Sequence, residues 1–149
     1  MKTISRSHSS SLFLLELVVA IIIFALASAI SLQFFAKAHL LNKNAKTLNY
    51  FSNESSIVAE ITGISSSTEE FKKALLQVYP SATLENQTIE LYYDDNLTLC
   101  SEENGTYLYT ISYRTYDNFL ITTMEVVEII SDTLLYQLES KHFQGGVTI

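Results

Sequence analysis

Cysteine, proline and glycine are scarce in this chain, and each shortage excludes a class of protein. The single cysteine, Cys100, cannot form an internal disulfide or supply a multi-cysteine metal site. Four glycines and one proline in 149 residues exclude collagen-like chains. A chain of this length has room for one modest domain. Because the neighbours of Cys100 alternate as in a strand, we predict that it is a half-buried small hydrophobic residue.

Positive charge is also scarce after the first third of the chain. From Thr47 onward there are four basic and fifteen acidic residues, which gives a net charge of −11. The other basic residues come earlier, at Lys2, Arg6, Lys37, Lys43 and Lys46. So acidic a domain repels phosphate backbones, and we expect no direct contact with nucleic acid.

Clusters of residues that carry chemistry are missing from the sequence. The three histidines, His8, His39 and His142, are dispersed, and no serine or cysteine is spaced as a nucleophile with its base. Glycine-rich phosphate loops are absent. The acidic turns at 94–96 and 102–104 have oxygen ligands for Ca²⁺, but an ordinary turn is the favoured interpretation. We expect no enzyme activity, no cofactor and no metal site.

What the chain does have is a long apolar run. Residues 1–11 are polar and basic, and residues 17–36 contain no charge, about the length needed to cross a hydrocarbon core as a helix. Farther on, mostly apolar residues recur at spacings of three or four and form one face of a helix: Leu41, Ala45, Leu48, Phe51, Ser55 and Val58. We predict one helix from about Leu12 to about Ile61, transmembrane over 12–36 and amphipathic over 37–63, with Gly63 as a left-handed cap.

A shorter helix is predicted after residue 66. Ser67 and Glu70 form a capping box, in which Ser67 accepts from the third backbone N–H and Glu70 reaches back. Pro80 ends this helix. Its predicted apolar side consists of Phe71, Leu75 and Val78.

From Thr83 onward, apolar residues occur at every second position, as is typical of β-strands. Turns are predicted at 94–96, Asn104-Gly105, Asp117-Asn118 and Ser131-Asp132. Asn104-Gly105 is a strong hairpin signal because both residues tolerate positive φ. The strand tyrosines could form an adhesive patch, but cross-strand packing is favoured for them: Tyr92, Tyr93, Tyr107, Tyr109, Tyr113 and Tyr116. The predicted class is α+β, with residues 64–149 forming a C-terminal domain whose antiparallel meander of four or five strands packs on the helix.

Glu16 is the informative residue of the apolar run. A carboxylate in a lipid-facing helix costs on the order of 2–3 kcal/mol at mid-membrane, so such residues usually have a partner. A cut between Ser11 and Leu12 would leave a charged α-amino group four residues before Glu16. In an assembly, that amino group could pair with Glu16 of a neighbouring subunit and set the register.

These residues resemble the processing and methylation signal of type IV pilins and pseudopilins. That signal has a basic leader, a small residue before the cut and glutamate at the fifth mature position, matched here by residues 1–11, Ser11 and Glu16. Serine replaces the usual glycine, and Leu12 replaces the common phenylalanine or methionine. The absence of paired cysteines brings the pattern nearer to minor pilin-like proteins of Gram-positive, clostridial-type bacteria.

The resemblance implies a structural subunit of a type IV pilus, a type II secretion-like pseudopilus or a competence pseudopilus. It further implies cleavage by prepilin peptidase, N-methylation, and assembly with other subunits through the N-terminal helix. Before assembly the chain would be a single-pass membrane protein with its C-terminal domain outside the cell.

Two alternatives stay open at this stage. One is a secretory signal peptide cut after Ala25-Leu26-Ala27 or Ala27-Ser28-Ala29. Against it, Glu16 lies within the apolar stretch and the helical pattern continues past the cut. The other is a plain single-pass anchor that carries a β-rich domain, in which Glu16 has no role.

Overall fold

The computed structural model describes the backbone of residues 7–145 and the side chains of residues 12–145. Two helices come first, α1 (Ser7–Ile64) and α2 (Thr68–Val78). Six strands follow: β1 (Leu84–Glu85), β2 (Thr88–Tyr93), β3 (Leu99–Cys100), β4 (Tyr107–Tyr116), β5 (Phe119–Glu128) and β6 (Thr133–Phe143). The second half of α1 packs on this antiparallel sheet. The predicted α+β class is confirmed.

The chain divides into two compact units between Asn44 and Ala45. The first unit contains the apolar part of α1. The second, Ala45–Ile149, contains the rest of α1, α2 and the sheet, and all the buried hydrophobic residues of the core belong to it.

Helix α1 runs without a break, as predicted, but its buried face differs from the predicted one. The buried residues in the second half of α1 are Thr47, Phe51, Ser55, Val58, Ile61 and Thr62. Leu41 and Leu48, expected on this face, have 60% and 40% of their surface exposed, and Ala45 is exposed too. On a helix of 3.6 residues per turn, the position four before Phe51 is rotated from it by about 40°, whereas the position three before it is rotated by about 60° to the other side. Thr47 therefore takes the place predicted for Leu48.

The end of α1 also differs from its prediction. Gly63 lies inside the helix, and its φ is not positive, so the left-handed cap is wrong. The helical pattern continues for one more residue because the Ser65 amide donates to the Ile61 carbonyl at 3.2 Å. Ser65 Oγ donates to the same carbonyl at 2.6 Å and helps to close this end.

Helix α2 begins and ends where the sequence indicates. Ser67 Oγ accepts from the Glu70 amide at 3.2 Å, and Glu70 Oε2 accepts from the Ser66 amide at 2.9 Å, one residue before the predicted partner. The helix ends at Val78, just before Pro80. Phe71 and Leu75 are buried as predicted, whereas Val78 is 42% exposed and Tyr79 is buried in its place.

The sheet has the order β1-β2-β4-β5-β6, and β3 also pairs with β2. The two short strands β1 and β3 pair with opposite ends of β2, through Thr88–Ile89 and Tyr92–Tyr93 respectively. The chain must therefore pass from β3, which pairs with β2, to β4, which also pairs with β2. This connection contains the 3-10 helix Glu102–Asn104, and Gly105 has φ −70°. The predicted Asn104-Gly105 hairpin is wrong.

Other predicted turns are confirmed. Asp117 and Asn118 join β4 to β5 with φ of 50° and 63°, both in the left-handed region. Asp132 also has positive φ (49°) in the connection between β5 and β6. Asn and Asp adopt this conformation more readily than other residues with a Cβ, and paired positive φ angles match the twist of a tight hairpin.

Candidate functional site

Within the described residues, the side chains in the first half of α1 form an apolar, exposed surface. Among the described residues, α1 is the one helix long and apolar enough to cross a membrane, and none of its most apolar window is buried. Its aromatic residues illustrate this, since Phe24 and Phe35 are 74% and 76% exposed. A core helix of a soluble domain would be covered. The exposed stretch is therefore the candidate site.

Polar side chains in this stretch are satisfied by the helix itself. Ser28 Oγ donates to the Phe24 carbonyl, and Ser31 Oγ donates to the Ala27 carbonyl, both at 2.8 Å. A hydroxyl that bonds to the carbonyl four residues earlier leaves no donor unpaired in lipid. The serines in the apolar stretch are thus compatible with a hydrocarbon environment.

The residues predicted for processing and assembly lie at the start of this stretch. Leu12 is 66% exposed and Glu16 is exposed, and a spacing of four places them one turn apart on the same side of the helix. The Ser11–Leu12 peptide bond lies within α1, which begins at Ser7. The side chain of Ser11 and residues 1–6 of the predicted leader lie outside the described part.

The second half of α1 is fixed to the sheet by polar as well as apolar contacts. Ser55 Oγ lies 3.1 Å from Tyr109 Oη, and Thr62 Oγ1 shares a hydrogen bond with Thr122 Oγ1 at 3.0 Å. All four of these residues are fully buried. These pairs are not predicted from the sequence, although the spacing of Thr47, Ser55 and Thr62 follows the Phe51–Val58 face.

Aromatic packing completes this contact. The ring of Phe51 lies 5.3 Å from Tyr93, 5.9 Å from Tyr107 and 5.7 Å from Tyr109, measured between centroids. Tyr93 and Tyr107 are also cross-strand partners. The packing interpretation of these tyrosines is confirmed, and Tyr113 is buried with them. Tyr116 differs, with 71% of its surface exposed.

Burial changes the ionisation of three core tyrosines. It raises the pKa of Tyr79, to which the hydrogen bond donated to Glu54 Oε2 at 2.8 Å adds. Burial also raises the pKa of Tyr93, reinforced by Tyr50 and Glu54. For Tyr109, burial raises the pKa and the bond to Ser55 partly opposes it. All three hydroxyls stay neutral at physiological pH.

The remaining candidates from the sequence are Cys100 and the acidic turn that begins at Asp94. Cys100 is half-buried as predicted, and desolvation, with a smaller effect of Asp94, raises the pKa of its thiol. Asp94 Oδ1 accepts from the amides of Asn96 and Thr98, both at 2.9 Å, as a turn-forming aspartate does. Within residues 12–145, no three side chains of His, Cys, Asp or Glu are grouped to hold a metal ion.

Comparisons with protein families, with curated proteins and with solved structures found no match to this chain.

Proposed function

We propose that this protein is a pilin-like structural subunit, a minor pilin or pseudopilin, that assembles through its N-terminal helix. The observation that carries the proposal is the difference in burial between the two halves of one helix. One face of its second half is buried on the sheet, whereas the most apolar stretch of its first half has no buried residue. A folded domain on a long apolar helix can be held in a bilayer and later packed against identical helices.

Glu16 supports assembly over a plain membrane anchor. An anchor gains nothing from a carboxylate in its apolar run, since the charge opposes insertion. In an assembly, the α-amino group of Leu12 released by prepilin peptidase would pair with Glu16 of the neighbouring subunit. Such a pair in a low-dielectric core costs desolvation but defines one register between helices.

The competing interpretation is a secretory signal peptide, and the mature N-terminus distinguishes the two. We expect Edman sequencing or mass spectrometry of the membrane-purified protein to give a chain that begins at Leu12 and carries a methyl group. A chain that begins near Ser28 or Ile30 would establish the signal-peptide interpretation.

Replacing the carboxylate tests assembly itself. The variant Glu16→Gln keeps the size of the side chain and removes its charge, so membrane insertion and leader removal should be unchanged. Recovery in the sheared surface fraction of the cells should fall sharply, because the Leu12 ammonium would enter an apolar core unpaired. Glu60→Gln, at an exposed position of the same helix, is the matched control and should assemble normally. Normal recovery of Glu16→Gln would contradict the assigned role.

A further inference from the structure

The sheet ends on one side at a long outer strand. Among the described residues, β6 pairs with β5 on one side and with no strand on the other. It is the longest strand of the sheet, with 11 residues, and it contains no proline. An outer strand of this length presents a row of backbone N–H and C=O groups that can pair with another chain. The outer edge of β6 is therefore a candidate interaction surface.

One hydrogen bond at the end of β6 shows which of its backbone groups face away from the sheet. The Gln144 amide donates to the Asn118 carbonyl at 2.7 Å, so residue 144 bonds towards β5. In an antiparallel pair of strands, every second residue bonds to the same neighbour. The even-numbered residues before Gln144 therefore bond to β5, and the N–H and C=O groups of the odd-numbered ones point outwards: Gln137, Glu139, Lys141 and Phe143.

A bulge limits the regular part of this edge. Leu135 is an extra residue between Leu134, which is opposite Val127, and Tyr136, which is opposite Val126. A bulge bends the strand and interrupts the alternation of its hydrogen bonds. The regular edge therefore consists of residues 136–143, and a strand that pairs with it in full must be centred near residue 140.

Two side chains of opposite charge lie two positions apart in the regular edge. Glu139 and Lys141 are both exposed and lie on the same face of the sheet. The Glu139 carboxylate lies 3.8 Å from Arg114 Nη2, beyond hydrogen-bond length, and the Lys141 ammonium lies 4.1 Å from the centre of the Phe119 ring. Because a carboxylate accepts several hydrogen bonds and an ammonium donates three, both groups can bind a further partner in these positions.

These charges make the edge complementary to itself. If two copies pair antiparallel with Ser140 on the two-fold axis, Glu139 of each copy is directly opposite Lys141 of the other. The outward-facing groups of residues 137–143 then meet in hydrogen-bonded pairs. Moving the axis by one residue places Glu139 opposite Glu139 or Lys141 opposite Lys141. Opposite charges across a strand pair stabilise it and like charges destabilise it, so the register centred on Ser140 is favoured.

We propose that two copies of this chain associate through β6 in this register, which joins their sheets into one. The inference uses no residue before Ala45 and is independent of the proposed function. The two-fold axis reverses the direction of β6 and of the helix segment packed on its sheet. The contact therefore differs from packing between N-terminal helices in the proposed assembly. Because the paired edges are short, the dimer is expected to be weak and to depend on protein concentration.

Disulfide trapping of the full-length chain in detergent tests the register. In a Cys100→Ser background, Ser140→Cys places two thiols across a non-hydrogen-bonded pair, where a Cα separation of about 4.5 Å suits a disulfide. Mild oxidation is expected to give a covalent dimer. Thr133→Cys, in the same strand but on the other side of the bulge, is the matched control and should give severalfold less. Equal dimer yields from the two positions overturn the proposal.

Exchange of the two charges tests whether the partner is a second copy in this register. Added to the Ser140→Cys chain, Glu139→Lys and Lys141→Glu should each lower the dimer yield about tenfold, because like charges then meet at two symmetric positions. An equal mixture of the two variants should restore the yield, since each lysine of one copy is then opposite a glutamate of the other. Recovery also shows that both variants are folded. Yields that do not respond to either substitution overturn the proposal, because association through α1 alone would be insensitive to these charges, and so does a mixture that fails to recover.

Discussion

Hydroxyl groups form part of the contact between helix and sheet, through the Ser55–Tyr109 and Thr62–Thr122 pairs. In the Ser55–Tyr109 pair, the two hydroxyls differ in whether they can find another hydrogen-bond partner when the first is removed. Without Tyr109 Oη, a helical serine can still donate to the carbonyl four residues earlier. Without Ser55 Oγ, the phenol of a fully buried tyrosine has lost the partner that the fold provides.

Removing the serine hydroxyl should therefore be costly. We expect Ser55→Ala to lower the free energy of unfolding by about 1–3 kcal/mol relative to Ser56→Ala, because an unsatisfied buried hydroxyl costs that much. Ser56 is the matched control because it is exposed on the same turn and its hydroxyl donates to the Ser52 carbonyl within the helix. Denaturant unfolding of the detergent-solubilised chain, followed by far-UV circular dichroism, measures the difference. Equal losses in the two variants would mean that the pair contributes nothing.

The core tyrosines predict the response of the protein to alkali. The folded pKa values of Tyr79, Tyr93 and Tyr109 lie above the unfolded value of about 10. A raised folded pKa means that the folded state holds its proton more tightly, so the stabilisation is complete below pH ~10 and is lost as the pH rises above it.

Spectroscopic titration should therefore show that the tyrosinate absorbance of these three core tyrosines appears together with loss of the sheet signal. Full ionisation of all tyrosines with the sheet intact would contradict the prediction.

At the scale of elements, the hairpins differ in how well their residues suit the backbone. The β4–β5 turn uses Asp117 and Asn118, which tolerate the left-handed region. The β1–β2 turn uses Asn86 and Gln87, with φ of 48° and 67°. Glutamine has no special tolerance for that region, and an ordinary L-residue there costs roughly 1–2 kcal/mol.

Glycine at this position should relieve the strain. We expect Gln87→Gly to raise the free energy of unfolding by about 0.5–1 kcal/mol, since part of the gain is offset by the greater freedom of glycine in the unfolded chain. Asn118→Gly in the other hairpin should change stability much less. Thermal unfolding of both variants beside the parent provides the measurement, and a destabilised Gln87→Gly would show that its side chain contributes something the backbone geometry does not reveal.

At the scale of the whole molecule, the boundary at Asn44 separates a part without a core from a part with one. The core of the second unit includes Phe51, Val58 and Ile61 from the helix together with the inner face of the sheet. The sheet alone would expose that face to water, so the helix segment from Ala45 belongs to the domain even though it continues the apolar stretch.

Truncation should show this directly. A fragment starting at Ala45 is expected to be soluble without detergent and to unfold in one cooperative transition. A fragment starting at Ser65, which lacks the helix face, is expected to aggregate, because the buried side of the sheet would be uncovered. Circular dichroism and size-exclusion chromatography distinguish the two outcomes. A folded, monomeric fragment from Ser65 would contradict the assignment of the helix to the core.

Elements with local signals follow from the sequence alone. The apolar run predicts α1, the Ser67–Glu70 pair predicts the start of α2, and Asp117-Asn118 predicts a hairpin, since each depends on interactions between residues close in the chain. The choice of the buried face of α1 and the connection from β3 to β4 cannot be predicted in this way. Those outcomes depend on pairing between distant segments. Because β3 pairs with β2 at its edge while β4 lies on the other side, the local preference of Asn104-Gly105 for a hairpin was overridden.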